Sequence, residues 1–378
     1  MPVRELHTES EMTNPGRAES LEDFGSSRDL LAPILQNWII GFPVMLGYRL
    51  GLFHIMSSKN PGTAEEIAAA ADLKPHLTAE WLKCMVAAGI VSVDKSGLNY
   101  VLPGDQAKSL QYNEYGLLFI ADSTLYLSQL IHSVENCWKI GGPKSIPVET
   151  YGPYIRVFRK MSEIVYRAYV VDLIIPQLPK NLQENLLHGC QVLDMFSLGN
   201  VFPTVLAEYF PRSRFVAVGA DQGTSKVALT QKRKEQHLQN VSCIPFSKIQ
   251  ELSASKSKFH WITITNYLHR CRNKVEIMKI IKSFLAVGGY LSVLENNCHS
   301  DPYDNALDPD TAFMHTTALF FDIPEGLNFM EEHEIITQVW GRESIEDFLK
   351  EQKLIILSVE YLHPYNLHFL CQLGRDPP

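Results

Sequence analysis

The residues best placed for chemistry lie between Cys190 and Asp221, where Val192, Leu193, Asp194 and Met195 read as a short apolar strand and Phe202 to Phe210 as a helix. Phe196, Ser197, Leu198, Gly199 and Asn200 form the turn between them. A strand, turn and helix of this kind hold a nucleotide or related cofactor against bare backbone, and the turn carries several glycines because positive φ is cheap only for glycine. Gly199 is the one glycine left here. The pattern predicts a ligand-binding fold and, at the same place, side chains standing where the ligand would approach.

The bulk properties set the frame. A chain of 378 residues is long enough for two or three cores. Its apolar content of 46% and mean hydropathy of -0.06 fit an ordinary globular protein. No apolar run is read as approaching the roughly 20 residues that cross a bilayer, so no membrane partner is expected. Residues 1–29 are polar and charged and read as a disordered tail rather than a signal peptide, which makes a cytoplasmic location the default. Seven cysteines stand singly, at Cys84, Cys137, Cys190, Cys243, Cys271, Cys298 and Cys371, and predict neither disulfides nor a metal site. A net charge of -8 and a pI near 5.9 weigh against a nucleic-acid partner.

Residues 30–105 have the rhythm of short helices ending in a hairpin. Leu46, Leu50, Phe53 and Ile55 lie at near-helical spacing, and a second helix starts from Thr63 as its cap. Leu77 to Ala88 follows as a helix stopped by Gly89, with Ile90 to Val93 and Tyr100 to Leu102 as strands around a turn. That is a winged helix. Its recognition helix carries Glu80 against a single base, Lys83, so dimerisation or lid formation is favoured over DNA binding. Residues 106–187 are helical and rich in aromatics, read as a linker and substrate lid with core packing or an apolar chamber as the role of the rings. From residue 188 to 378 strands and helices alternate as in a doubly wound α/β sheet. Arg214 to Val218, Val241 to Ile244, Trp261 to Thr265 and Tyr290 to Leu294 are strands, Lys274 to Leu285 is a helix stopped by Gly288 and Gly289, and Leu354 to Val359 with Leu367 to Leu373 closes the sheet as a hairpin. Thr224 to His237 is read as a further helix.

From Leu30 to the C-terminus the chain resembles the class I S-adenosylmethionine-dependent methyltransferases that carry an N-terminal winged helix. The resemblance rests on Leu50 to Phe53, on Trp81, Leu82, Val86, Gly89, Ile90 and Val91, on Tyr100 to Pro103, on Phe210 to Val216 and on Lys282 to Leu294. It implies a seven-stranded Rossmann-like sheet, small-molecule O-methyl transfer and S-adenosylmethionine as cofactor. The family's first turn is Asp-x-Gly-x-Gly-x-Gly, so Asp194, Phe196, Leu198 and Gly199 occupy cofactor positions, with phenylalanine and leucine in place of glycine. Gly219 falls where an acid holds the ribose, with Asp221 two residues on as a substitute, and the acid expected beside the adenine falls near Ser247 or Lys248. His269 matches the family's general base, an imidazole suited to taking a proton near neutral pH. Arg270 replaces the usual aspartate and, if near the ring, would weaken that base. His315 is a second candidate on the helix roofing the pocket, while Asp322 and Glu325 are expected in solvent. Two readings stand: a pseudo-enzyme that keeps the scaffold and works by binding, and an active methyltransferase. A homodimer through the N-terminal helices is expected in both.

Overall fold

A computed structural model describes residues 27–110, 117–220, 238–254, 258–271, 273–331, 337, 339–362 and 366–374. They fall into two compact units, one ending at Lys108 and one beginning at Ser109. The expected helix from Thr224 to His237 and most of the expected tail lie outside the described residues.

The first unit is the winged-helix module: α1 (Ser27–Arg49), α2 (Leu52–Ser58), α3 (Ala64–Ala71), α4 (Pro75–Ala87) and a wing of β1 (Ser92–Val93) against β2 (Tyr100–Val101). Thr63 caps α3 in a full capping box with Glu66, satisfying two backbone N–H groups that the first turn leaves open. Ile67, Leu82 and Met85 form its dry centre, and Trp81 stands edge-on to Phe53 while its indole N–H donates to the Pro43 carbonyl at 2.8 Å. Lys83, the one base in the middle of α4, sits 3.4 Å from Glu80.

α1 corrects one expectation. It runs unbroken through Pro33 and Pro43, and its segment Leu30–Arg49 is long and apolar enough, by length and composition, to cross a bilayer. Leu30, Ile34, Trp38, Phe42, Leu46 and Leu50, a continuous i to i+4 row, are all exposed.

The second unit is built on one mixed sheet of seven strands in the order β5-β4-β3-β6-β7-β9-β8: β3 (Gln191–Met195), β4 (Arg214–Gly219), β5 (Val241–Pro245), β6 (Phe259–Thr265), β7 (Leu285–Asn296), β8 (Leu354–Leu362) and β9 (Asn366–Leu373). All pairs are parallel except those made by β9. β6 is central, and five consecutive residues of it, Trp261 to Thr265, are buried, as expected of a strand covered on both faces. Ile262 and Ile264 face the helices Lys274–Phe284 and Arg342–Glu351, while Trp261 points to the opposite layer with Phe202, Val205 and Leu206. The glycine pair does not stop the helix as expected. The helix ends at Phe284, and Gly288 (φ +72) and Gly289 lie inside β7, beside a register shift in its partner strand β6. A Cβ on Gly289 would meet the Phe259 and His260 carbonyls at 3.1 and 3.2 Å, which is why a glycine is needed there.

Behind the sheet a polar chain runs from buried residues out to the half-buried Gln177. Trp261 donates to Ser292 Oγ at 2.9 Å, Ser292 Oγ lies 2.8 Å from His368 Nε2, and His368 Nδ1 lies 2.8 Å from Gln177 Oε1. The chain closes with a neutral imidazole that donates at Nδ1 and accepts the Ser292 hydroxyl at Nε2. Burial accordingly pushes the His368 pKa down to about 4.

Candidate functional site

The C-terminal ends of parallel strands in a doubly wound sheet open onto the ligand crevice. Here they deliver Phe196 after β3, Thr265 and Asn266 at the end of β6, and Glu295 and Asn296 at the end of β7. Because β9 runs antiparallel, its first residue, Asn366, reaches the same end and pairs with Asn296. Tyr154, Phe158, Met161 and Tyr166 from the helix Gly152–Tyr169, and Phe313, Met314, Phe321 and Asp322 from the segment after Pro309, complete a cavity with about 1210 Å³ of empty space, mouth included. Phe321 and Asp322 lie on a π-helical turn, Ala318–Asp322, a widened geometry common at functional sites.

His269 is where the sequence placed it, in the turn Leu268–Arg270 directly after β6, and it lines the cavity. Its Nδ1 lies 2.6 Å from Glu295 Oε2 with both side chains buried. Glu295 Oε1 accepts the backbone N–H groups of Leu268 at 2.8 Å and His269 at 3.4 Å, so one carboxylate fixes both ring and turn. With Nδ1 held, Nε2 is the nitrogen left to meet a ligand proton. Sequence reasoning missed Glu295. Its signal was a lone acid closing the apolar strand Tyr290 to Leu294.

Arg270, expected to weaken the base if it stood near the ring, is paired with acids on the cavity wall. Its Nη2 donates to Glu325 Oε2 at 2.5 Å, its Nε is 4.0 Å from Asp322 Oδ1, and its guanidinium lies 4.7 Å from the Phe321 ring centre. Burial works against its charge, but Glu325 and Asp322 outweigh that and hold its pKa above the ordinary value. Asp322 and Glu325, expected in solvent, are only 5% and 4% exposed. Unpaired carboxylates would not be buried so deeply, and the arginine is what makes the burial tolerable. His315 is exposed, and its neighbours Phe313 and Met314 supply the wall instead.

The turn after β3 is occupied by side chains. Phe196 adopts φ +67, is 4% exposed, stacks on Tyr267 with centroids 4.6 Å apart, and lies 5.3 Å from Phe246. Leu198 is half-buried on the cavity wall, while Gly199 and Asn200 take φ +59 and +55 before the helix Val201–Tyr209 begins. Asn200 donates to Cys243 Sγ at 3.0 Å. Gly219 is buried against Pro245, Ala220 joins Phe196 in the apolar cluster, and Asp221 lies outside the described residues. Ser247 is exposed in the turn Phe246–Lys248. Among the described residues no group of His, Cys, Asp and Glu could hold a metal ion.

Asp194 serves the turn rather than the cavity. Its carboxylate accepts from the Ser197 hydroxyl and from Thr263 Oγ1 at 2.7 Å, and burial, only partly countered by those bonds, pushes its pKa up to about 6. Asp194 and His368 thus set opposing pH dependences. The unfolded chain protonates His368 from about 6.5 downward and the folded chain only near 4, so that stabilisation is full above 6.5 and fades as pH falls to 4. The folded carboxyl of Asp194 releases its proton only near 6, the unfolded one near 3.8, so its cost is full above 6 and disappears as pH falls. Each contribution is about 3 kcal/mol. Between pH 6.5 and 4 these two contributions nearly cancel in the wild-type protein, and denaturant unfolding of each variant exposes one of them relative to the wild-type profile. His368→Gln should gain stability across that window and Asp194→Asn should lose it; parallel profiles for the two variants would refute the assignment.

Residues 39–111 match the Rv2258c-like winged HTH domain. No curated protein sequence matches the chain. Among solved structures, an O-methyltransferase family protein from Burkholderia thailandensis superposes with TM-score 0.65 at 12% identity, over 93% of this chain and 100% of its own. A putative O-methyltransferase from Nostoc punctiforme PCC 73102 gives 0.63 at 14%, over 92% and 99%. Human N-acetylserotonin methyltransferase, solved in complex with S-adenosylmethionine, gives 0.59 at 11%, over 93% and 99%. The chain therefore carries a winged HTH domain of the Rv2258c-like type followed by the sheet of the class I O-methyltransferase fold.

Proposed function

We propose that the chain is a small-molecule binding protein built on the methyltransferase fold, with the cofactor crevice closed and the substrate cavity kept. The observation that carries this reading is the Phe196 ring, stacked on Tyr267 and packed with Phe246 and Ala220 where the cofactor would rest. A glycine turn is replaced by an aromatic plug, and the ribose position holds Gly219 instead of an acid. These residues do not fit S-adenosylmethionine. The cavity, by contrast, is lined by aromatic side chains and ends on His269, an arrangement that takes a ring-bearing molecule and accepts the proton of its hydroxyl at Nε2 while Glu295 holds Nδ1.

A retained methyltransferase is the rival reading, favoured by that same buried His269–Glu295 pair. Calorimetric titration with S-adenosylmethionine separates the two. Dissociation constants weaker than about 100 µM are expected, and binding near 1 µM would overturn the pseudo-enzyme reading. The triple variant Phe196→Gly, Leu198→Gly, Gly219→Asp should then bind the cofactor more tightly than the wild type, because it removes the bulk and supplies a ribose acceptor.

The exposed row on α1 is proposed to be covered by a second copy of the chain, giving a homodimer in the cytoplasm. A dimer mass by light scattering at micromolar concentration is expected. A monomer, or a protein that floats with phosphatidylcholine vesicles, would remove this role from the helix and assign its apolar face to solvent or to a bilayer.

A further inference from the structure

Resting on the reading that the cavity takes a ring with a hydroxyl at His269, the polar end of that cavity narrows the chemistry of what it binds. Three asparagines converge there from three different strands: Asn266, Asn296 and Asn366. Asn366 spends both its amide hydrogens inward, donating to Asn266 Oδ1 at 2.6 Å and to Asn296 Oδ1 at 3.4 Å. Its own carbonyl oxygen therefore remains as an acceptor with no partner among the described residues. On the same cavity wall, Thr265 is 3% exposed, and its Oγ1 has only the Tyr166 hydroxyl within loose reach and no well-formed hydrogen bond among the described residues. A buried hydroxyl without a well-formed hydrogen bond is costly, so a ligand group that completes it is favoured. Asn266 is held at φ +47, a backbone strain of the kind that clusters at ligand sites.

The complementary group is set by this inventory. Thr265 can donate a hydrogen bond and Asn366 Oδ1 can only accept one. None of the five side chains around this end, Tyr166 included, carries a charge: burial pushes the Tyr166 phenol up to about 12, so it stays protonated. We propose that the cavity selects aromatic hydroxyl compounds that also bear a neutral carboxamide or lactam, whose C=O accepts from Thr265 and whose N–H donates to Asn366. A carboxylate would meet the Asn366 carbonyl oxygen head-on and is disfavoured.

The test compares two probes of nearly equal shape, 3-hydroxybenzamide and 3-isopropylphenol, with 3-hydroxybenzoate as the charged control, by calorimetry on the full chain. The isopropyl compound is the more hydrophobic, so burial alone makes it the tighter binder. The proposal expects the reverse, with the amide binding about tenfold more tightly, the worth of two neutral hydrogen bonds less the lost hydrophobic gain. Thr265→Val should shrink that preference to twofold or less while thermal stability changes little, since the variant keeps the buried volume and removes only a hydroxyl that meets Tyr166 loosely. Isopropylphenol binding as tightly as the amide, or hydroxybenzoate binding more tightly, would overturn the amide subsite and leave the hydroxyl-binding cavity standing. No binding by any of the three overturns both.

Discussion

Phe196→Ala is expected to lower the unfolding free energy by about 3 kcal/mol, near the low end for a buried phenylalanine, because Tyr267 and Phe246 are themselves half-exposed and can relax into the gap. Phe196→Gly should be the milder change, by roughly 0.5 to 1 kcal/mol. That reverses the usual order, in which glycine costs more than alanine. The reason lies in the backbone: at φ +67 a Cβ is strained by about 1–2 kcal/mol, and only glycine removes it. The extra freedom of glycine in the unfolded chain returns part of that gain. Melting temperatures should fall by roughly 6–12 °C for the alanine variant. An alanine variant more stable than the glycine one would mean that this turn is not left-handed, and with it the plug would lose its structural basis. The wild-type chain keeps both the strain and the ring. Stacking and burial of the phenyl group must therefore exceed the strain.

Much of this was legible in the sequence, because it is written in local patterns. The strand, turn and helix around Phe196 show in consecutive residues, and His269 could be placed because it follows β6 immediately. The seven strands and the closing hairpin show as apolar runs between turn residues. What escaped detection is what depends on distance along the chain. Glu295 is 26 positions from His269, Glu325 is 55 from Arg270, and Asn366 is 100 from Asn266. Nothing within a sequence window joins them; the ends of β6, β7 and β9 and the helix Ile323–Gly326 bring them to the same crevice. α1 was hidden for another reason. Pro33 and Pro43 suggest breaks, yet both are accommodated within one helix, so the apolar run looked shorter than it is. Asp322 and Glu325 were read as solvated, and their pairing with Arg270 on a distant turn is a contact that no sequence window shows.

Arg270→Met is expected to be the most destabilising single change at the site, costing about 3–5 kcal/mol, because it removes the guanidinium that pairs with two buried carboxylates, Asp322 and Glu325. Glu325→Gln should cost less. Arg270 then keeps Asp322 as a counter-ion at 4.0 Å, and a neutral amide still fills the volume. The informative species is the double variant. If the three groups form one electrostatic unit, Arg270→Met with Glu325→Gln removes a charge of each sign, leaves one carboxylate rather than two, and should be more stable than Arg270→Met alone. The coupling is expected to reach about 1–3 kcal/mol, within the range for residues that share one ion-pair network. Urea unfolding of the four species at pH 7 measures it. Strict additivity would mean that the arginine merely packs over Phe321, and that the carboxylates are held by other contacts. A positive coupling would instead explain why this chain tolerates arginine after its histidine: the charge is consumed by the wall of the cavity, which leaves the His269 ring to answer to Glu295.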